Sequence, residues 1–468
     1  MLNAATSIRR TLMIRLVQAF DAGTLEDVLD QIAIELRPKH MGSSRCCIYH
    51  DRAVLKYRLM ALLGFSIEEE QNEAKTLREY YADLIKSINT AKTSRELAPL
   101  NPLSVCEPAC SGCPPSRVVS TENCRGCFAR PCMYNCPREA ITIENGRSVI
   151  HQDKCIKCGK CINVCPYHAI IKTTVPCEEA CPVQAIAKNE QGVAQIDFKR
   201  CIHCGKCMIA CPFGAVMERS QMLEVLAAIK RGDKLVAMLA PATCDNLGTD
   251  PEKCLSACVK AGFADAIEVA LGAEMTTVHE TEEFIERYKK DPKMIMATSC
   301  CPAWVNLVGK HVPQFIDKVS LTPSPMVYTD QIVKKKDPFA KTVFVGPCVA
   351  KRGEARRKQV DYVLSVEELG AILEARGVVA ADCEPMAVER PADKSARNYS
   401  KSCGVTAAVV EEACKSIPDF KLDSKYISGI DKKTIAMIKL YAMGKLPGNF
   451  LEVMACPGGC VNGPVSLK

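Results

Sequence analysis

Residues 294–304 read MIMATSCCPAW: an apolar run passes directly into two adjacent cysteines, a proline and the only tryptophan of the chain. A short apolar run closed by a turn-forming cluster reads as a buried strand that ends there. Side chains of neighbouring residues point different ways, so Cys300 and Cys301 are not expected to share one task. Three further runs end alike: LVAMLA (235–240) before Pro241, TVFV (342–345) before GPC, and FLEVMA (450–455) before Cys456. Helical stretches lie between them, which makes residues 221–468 an α/β domain. Ligands in open α/β sheets gather beyond the carboxyl ends of the strands, and here that edge is lined with sulfur.

Outward from this stretch the composition is unusual in one respect. The 468 residues include 30 cysteines, and the length suits about two to four domains. The opening SIRRTLMIRLVQAF carries paired arginines, yet Arg15 and Gln18 interrupt its apolar run and no small-residue cleavage site follows, so an amphipathic helix and a cytoplasmic location are expected. Without a secretory context, thiols in this number point to metal rather than disulfides. No uncharged apolar run is long enough to cross a membrane. The net charge of +7 is mild. The basic clusters at 334–336 and at Arg356 and Arg357 lack interleaved aromatics, which reads as solvated faces without nucleic acid; they would also attract an acidic electron-carrier protein.

Residues 1–100 have helical spacing in TLEDVLDQIAIEL, with Thr24 as a cap, and again through EEEQNEAKTLREYYADLIKSI. This region has no assigned role, and its Cys46 and Cys47 lack metal spacing and are expected to be structural. Residues 101–220 change character: seventeen cysteines fall here among glycines, prolines and short β-prone pieces such as AITIENG and VAQIDF.

Cys155, Cys158, Cys161 and Cys165 form C-x2-C-x2-C-x3-C-P, as do Cys201, Cys204, Cys207 and Cys211. That is the bacterial ferredoxin run, whose first three thiolates hold one 4Fe-4S cubane while the fourth reaches its neighbour. Zinc sites pair two short clips without the trailing cysteine and proline. A variant run holds Cys124, Cys127, Cys132 and Cys136. The crossover rule then joins Cys124, Cys127 and Cys132 with Cys165, and Cys155, Cys158 and Cys161 with Cys136. The second unit is incomplete: Cys181 completes a cluster with Cys201, Cys204 and Cys207, while Cys177 and Cys211 need two more ligands. Cys106, Cys110 and Cys113 lie upstream; a fourth accessory cluster, disorder and another metal all stay open for them.

In the last region TSCCPAW, GPCVAKRGE and EVMACPGGCVNG bring five cysteines to strand ends, one more than a cubane needs. These three motifs, in this order and after ferredoxin-like units, closely resemble the iron-only (FeFe) hydrogenases. TSCCPAW, with Ala303 in place of glycine, is most similar to the divergent set called group B. The resemblance implies a two-lobed α/β catalytic domain with an H-cluster between the lobes: a 4Fe-4S cubane joined through a cysteine to a two-iron unit carrying carbon monoxide, cyanide and a dithiolate amine. By position, Cys301, Cys348, Cys456 and Cys460 would ligate the cubane, Cys460 would bridge, and Cys300 would be the free thiol that passes protons. Lys351 and Ser324 match the residues that contact the cyanides, and Pro241 and Met454 match others beside the two-iron unit. Glu280, Glu283 and Arg287 share one helix face. An ordinary solvated salt-bridge stripe has the same spacing, but the positions match the family's carboxylate relay, with Ser320 matching its serine.

Departures from the family are Ala242 at a polar position, Met326 where glutamine is common, Gly346 at a methionine position, and VNGPVSLK after Cys460 in place of a glycine triplet. Cys244, Cys254, Cys258, Cys383, Cys403 and Cys414 match no family ligand and read as small buried hydrophobes. The expectation is an anaerobic oxidoreductase interconverting protons and electrons with hydrogen. It would exchange electrons with ferredoxin or a similar low-potential carrier through at least three accessory clusters and would depend on hydrogenase maturation proteins. The rivals are a hydrogenase-like iron-sulfur assembly protein and a hydrogen sensor.

Overall fold

The computed structural model describes residues 4–467 except 44, 45, 92, 111 and 418–421. The N-terminal region is helical, with Ala4–Asp21, Ile48–Leu62 and Leu77–Thr90 as its longest elements. Ala4–Asp21 buries Leu12, Met13, Leu16, Val17 and Phe20. It lies along the helix Val366–Ala375 of the α/β region, with Arg9 ion-paired to Glu367 and Arg10 to Glu374. A single apolar core therefore runs from Leu12 to Val465. Two local expectations are corrected. TLEDVLDQIAIEL is two short helices, Leu25–Val28 and Ile32–Leu36, and the Thr24 side chain does not cap the first. The acidic run 68–70 lies outside any helix, because Thr76 starts a new one with a capping box to Glu79. Cys46 and Cys47 are exposed, so they do not support the core.

The cysteine-rich region consists of antiparallel strand pairs and one-turn helices. Arg117–Ser120 pairs with Ile170–Thr173, Ile141–Glu144 with Arg147–Ile150, and Ile186–Lys188 with Ala194–Ile196. Each complete run bends through left-handed residues, Lys157 and Gly159 in one and His203 and Gly205 in the other. Such a bend turns successive thiols inward around one centre. Gly205 is needed twice over: its φ is +72°, and a Cβ there would stand 2.6 Å from Pro464 of the α/β region.

Residues 235–454 contain two parallel sheets. The first has the order Asp265–Glu268, Leu235–Leu239, Lys341–Val345, Tyr362–Leu364; the second has Met296–Ala297, Phe450–Met454, Ser424–Ser428. Val345 lies opposite Leu239 and Ser428 opposite Met454, so the carboxyl ends of these central strand pairs align, while the short strand Met296–Ala297 ends earlier, opposite Leu451. Two of these ends lead into helices with proline in the first turn, Pro241–Leu247 and Pro302–His311, and a third helix of that kind, Pro325–Lys336, follows the short turn Pro313–Lys318. The long helix Ala270–Lys290 crosses Pro325–Lys336 at Gly272, where a Cβ would come 2.2 Å from the Pro325 carbonyl oxygen. Buried Arg352 joins the cysteine-rich region to the α/β region, donating to Glu218 at 3.1 Å and Glu368 at 2.7 Å. No helix among the described residues is long and apolar enough to cross a membrane.

Candidate functional site

The aligned strand ends and the adjoining loops deliver Cys300, Cys301, Cys348, Cys456 and Cys460 to one cavity of about 100 Å³. Its other walls are almost wholly apolar, among them Pro241, Ala242, Met326, Phe344 and Met454. Among the described residues, no three His, Cys, Asp or Glu side chains close around a point as they would on one ion. A cubane spreads its irons and asks for wider spacing than a single ion does. Four cysteines beyond Cys300, in an enclosed apolar space with one lysine, fit a thiolate-held cubane with an anionic neighbour.

The two adjacent cysteines have different surroundings. Cys301 is the N-cap of the helix Pro302–His311, and backbone N–H groups of Ala455, Trp304 and Ala303 face its sulfur. Donors of this kind favour a thiolate, although burial works against it. Cys300 is next to acids. Burial pushes its thiol well above the ordinary range, and Glu280, Cys301, Cys460 and Glu452 push it further.

Glu280 is fully buried on the helix Ala270–Lys290. Neither carboxyl oxygen has a hydrogen-bond partner among the described residues. Loss of solvent raises its pKa to about 8, opposed by the nearby Ser299 N–H and Ser320 hydroxyl and reinforced by Glu283. Glu283, one turn on, has the opposite character. Burial would raise it, but Ser320 Oγ donates at 2.6 Å, Thr322 Oγ1 at 3.0 Å, Leu321 N–H at 3.1 Å and Arg287 at 2.5 Å, and these hold its carboxyl below the ordinary value. A fully buried carboxyl with a raised pKa thus stands beside the buried thiol, and a half-buried one with a lowered pKa stands toward solvent.

Lys351 and Ser324 come together as a pair. Lys351 Nζ lies 3.0 Å from Ser324 Oγ and 2.7 Å from Glu354, and Lys351 lines the cavity. Gly346, at a position where the family carries methionine, leaves no gap. The Phe344 ring takes that volume, with ring atoms 2.8 Å from where a Cβ would stand.

Accessory thiols group crosswise. Cys132 stands near Cys127 and Cys165, Cys161 near Cys155, Cys136 and Cys158, and Cys207 near Cys204, Cys201 and Cys181. Cys204 also lines the cavity of the strand-end cysteines.

Sequence reading missed Tyr399, which lines the cavity and is hydrogen-bonded to Thr277 at 2.7 Å. Only the helical register, which puts Thr277 three residues before Glu280, hints at it. It also missed that Cys244, Cys254, Cys258 and Cys383 are buried in one neighbourhood. Two thiols depart from the expected burial: Cys414 is exposed and Cys403 partly so.

Fold and site together define an iron-sulfur protein in which ferredoxin-like units precede an α/β domain with a cysteine-lined cavity. Residues 233–464 match the family described as iron only hydrogenase large subunit, C-terminal domain; residues 148–171 match a 4Fe-4S binding domain and 174–215 a 4Fe-4S dicluster domain. The chain is an FeFe hydrogenase-like protein. Iron hydrogenase 1 of Clostridium pasteurianum is 28% identical over 378 residues, covering 67% of this chain and 64% of that protein. The cytosolic Fe-S cluster assembly factor narfl of Xenopus tropicalis is 24% identical over 263 residues, covering 44% of this chain and 55% of that one. A variant FeFe-hydrogenase of Chlamydomonas reinhardtii superimposes with a TM-score of 0.45 at 20% identity, covering 52% of this chain and 84% of that one. The chain spans 64% of the length of the Clostridium relative.

Proposed function

We propose that the chain is a hydrogenase that interconverts two protons and two electrons with hydrogen. Cys301, Cys348, Cys456 and Cys460 would hold an H-cluster, with Lys351 and Ser324 beside its cyanides. When bound, that group supplies the redox metal at which the hydrogen–hydrogen bond is made or cleaved. Cys300 holds a proton at Sγ and passes it into the cavity. Glu280 restores it, drawing in turn on Glu283, Ser320 and Arg287 at the solvent side. Apolar walls exclude water, so protons enter only along this line. Electrons travel through the accessory clusters, whose ferredoxin-type potentials of roughly −400 mV suit a low-potential carrier such as ferredoxin.

One observation carries this reading: the fully buried carboxyl of Glu280 stands next to Cys300, where burial raises its pKa. Burying an acid there is destabilising, and a buried acid beside a buried thiol is suited to proton transfer. The test is infrared spectroscopy and hydrogen turnover of protein matured with the two-iron unit. Carbonyl and cyanide bands with turnover are expected, and Cys300→Ser should keep the bands while slowing turnover by about 10²–10⁴-fold. No bands after maturation, or full turnover in the variant, would reject the proposal.

A further inference from the structure

The match to a dicluster domain covers residues 174–215, yet that stretch holds only Cys177, Cys181, Cys201, Cys204, Cys207 and Cys211, two thiols short of two cubanes. The structure places cysteines from outside against the gap. Leu103–Val105 runs antiparallel to Val216–Glu218, and Cys106 N–H donates to the Ala215 carbonyl at 2.7 Å. This pairing lays the following residues over the unit. Cys110 and Cys177 are buried there, and Cys211, Cys110 and Cys113 stand close enough to Cys177 for their charges to add to the effect of burial on its thiol. Cys177 is also close to Cys207, a ligand of the adjoining cluster.

Backbone N–H groups reach several of these sulfurs in a common pattern. Last cysteines of the assigned runs accept an N–H from four residues on: Cys136 from Ala140 at 3.3 Å, Cys165 from Ala169 at 3.4 Å and Cys181 from Ala185 at 3.1 Å. Cys211 accepts from Ala215 at 3.3 Å in the same manner, and Cys110 accepts from Ala194 at 3.2 Å. Cys106 Sγ lies 4.0 Å from the Val54 carbonyl oxygen, which only an S–H can face as donor, and the Ala109 N–H also faces it.

We propose that Cys110, Cys113, Cys177 and Cys211 bind a fourth accessory 4Fe-4S cluster, assembled from two segments, and that the N-terminal helices form its outer wall. The helix Ile48–Leu62 packs on this side and contributes Arg58, which is 5% exposed and donates to the Phe213 carbonyl at 2.9 Å. Cys106 and Cys211 are among the charges nearest to Arg58. A guanidinium in this place offsets the negative charge of four thiolates and their cluster, and favours the reduced state. The region without an assigned role thereby gains one, whether or not the chain turns over hydrogen.

The test uses the full chain, made without the two-iron unit and reconstituted anaerobically with iron and sulfide. Five cubanes should give about 20 irons and as many sulfides per chain, against about 16 for four. Cys110→Ser with Cys113→Ser should lose about four of each, while Cys106→Ser should lose none. Arg58→Met should lower the midpoint potential of one cluster in a redox titration followed by electron paramagnetic resonance. A wild-type count of about 16, an unchanged count in the double variant, or zinc in place of the lost iron would overturn the assignment. The wild-type count decides the matter even if the double variant fails to fold.

Discussion

Replacing Glu280 by glutamine should make the protein more stable and a poorer catalyst at once. The carboxyl is fully buried, and its pKa stands at about 8 rather than the ordinary 4.5 because burial penalises the charged form. Below pH 4.5 the acid is neutral in both the folded and the unfolded chain, so it has no pH-dependent effect. Between the two values the unfolded chain releases the proton and the folded chain keeps it. Stability therefore falls by about 1.4 kcal/mol per pH unit as the pH rises. At pH 7 the deficit is about 3 kcal/mol, and above pH 8 it levels off at about 5 kcal/mol. Glutamine has the same shape and cannot ionise, so Glu280→Gln removes this deficit. Thermal midpoints measured anaerobically at one scan rate should show the variant ahead of the parent by a margin that widens from pH 6 to pH 8 and then stays constant. Hydrogen turnover of the matured variant should fall by about 10²-fold or more, since Cys300 loses its proton source. A margin that does not grow with pH, or turnover equal to the parent's, would refute the reasoning.

Other outcomes follow from packing. Arg352→Leu leaves Glu218 and Glu368 buried without their shared partner, and should cost about 3–5 kcal/mol in chemical denaturation. Gly272→Ala presses a methyl group onto the Pro325 carbonyl and the Thr329 backbone N–H, moving the helix that carries Met326 into the cavity wall. It should cost about 1–3 kcal/mol and slow turnover, with iron content unchanged.

The strand ends and the cysteine runs were legible because each is a local code. A thiol must sit at a fixed spacing to wrap a cubane, and an apolar run must stop where a proline or cysteine begins. The helix face of Glu280, Glu283 and Arg287 was legible, but its electrostatics were not: whether a carboxyl there is held low or high depends on Ser320, Leu321 and Thr322, which arrive from another segment. Tyr399 was invisible for the same reason, since its partner Thr277 is 122 residues away. Arg352 carries no signal in the sequence, because its partners Glu218 and Glu368 arrive from other segments. In the N-terminal region, apolar spacing predicted helices through 68–75, but spacing alone does not tell where a chain turns. The capping box at Thr76 made that choice.

Cys204 belongs to a ferredoxin-like unit and yet faces the same chamber as the strand-end cysteines, while Gly205 lets that unit press against Pro464. The conduit is thus also a stopper. A shortened chain beginning at residue 221 would lose more than its wiring: one side of the chamber would be missing, and dioxygen and bulk water would reach the interior directly. Engineers who wish to graft a different electron donor onto this domain must replace a piece of masonry along with the cable.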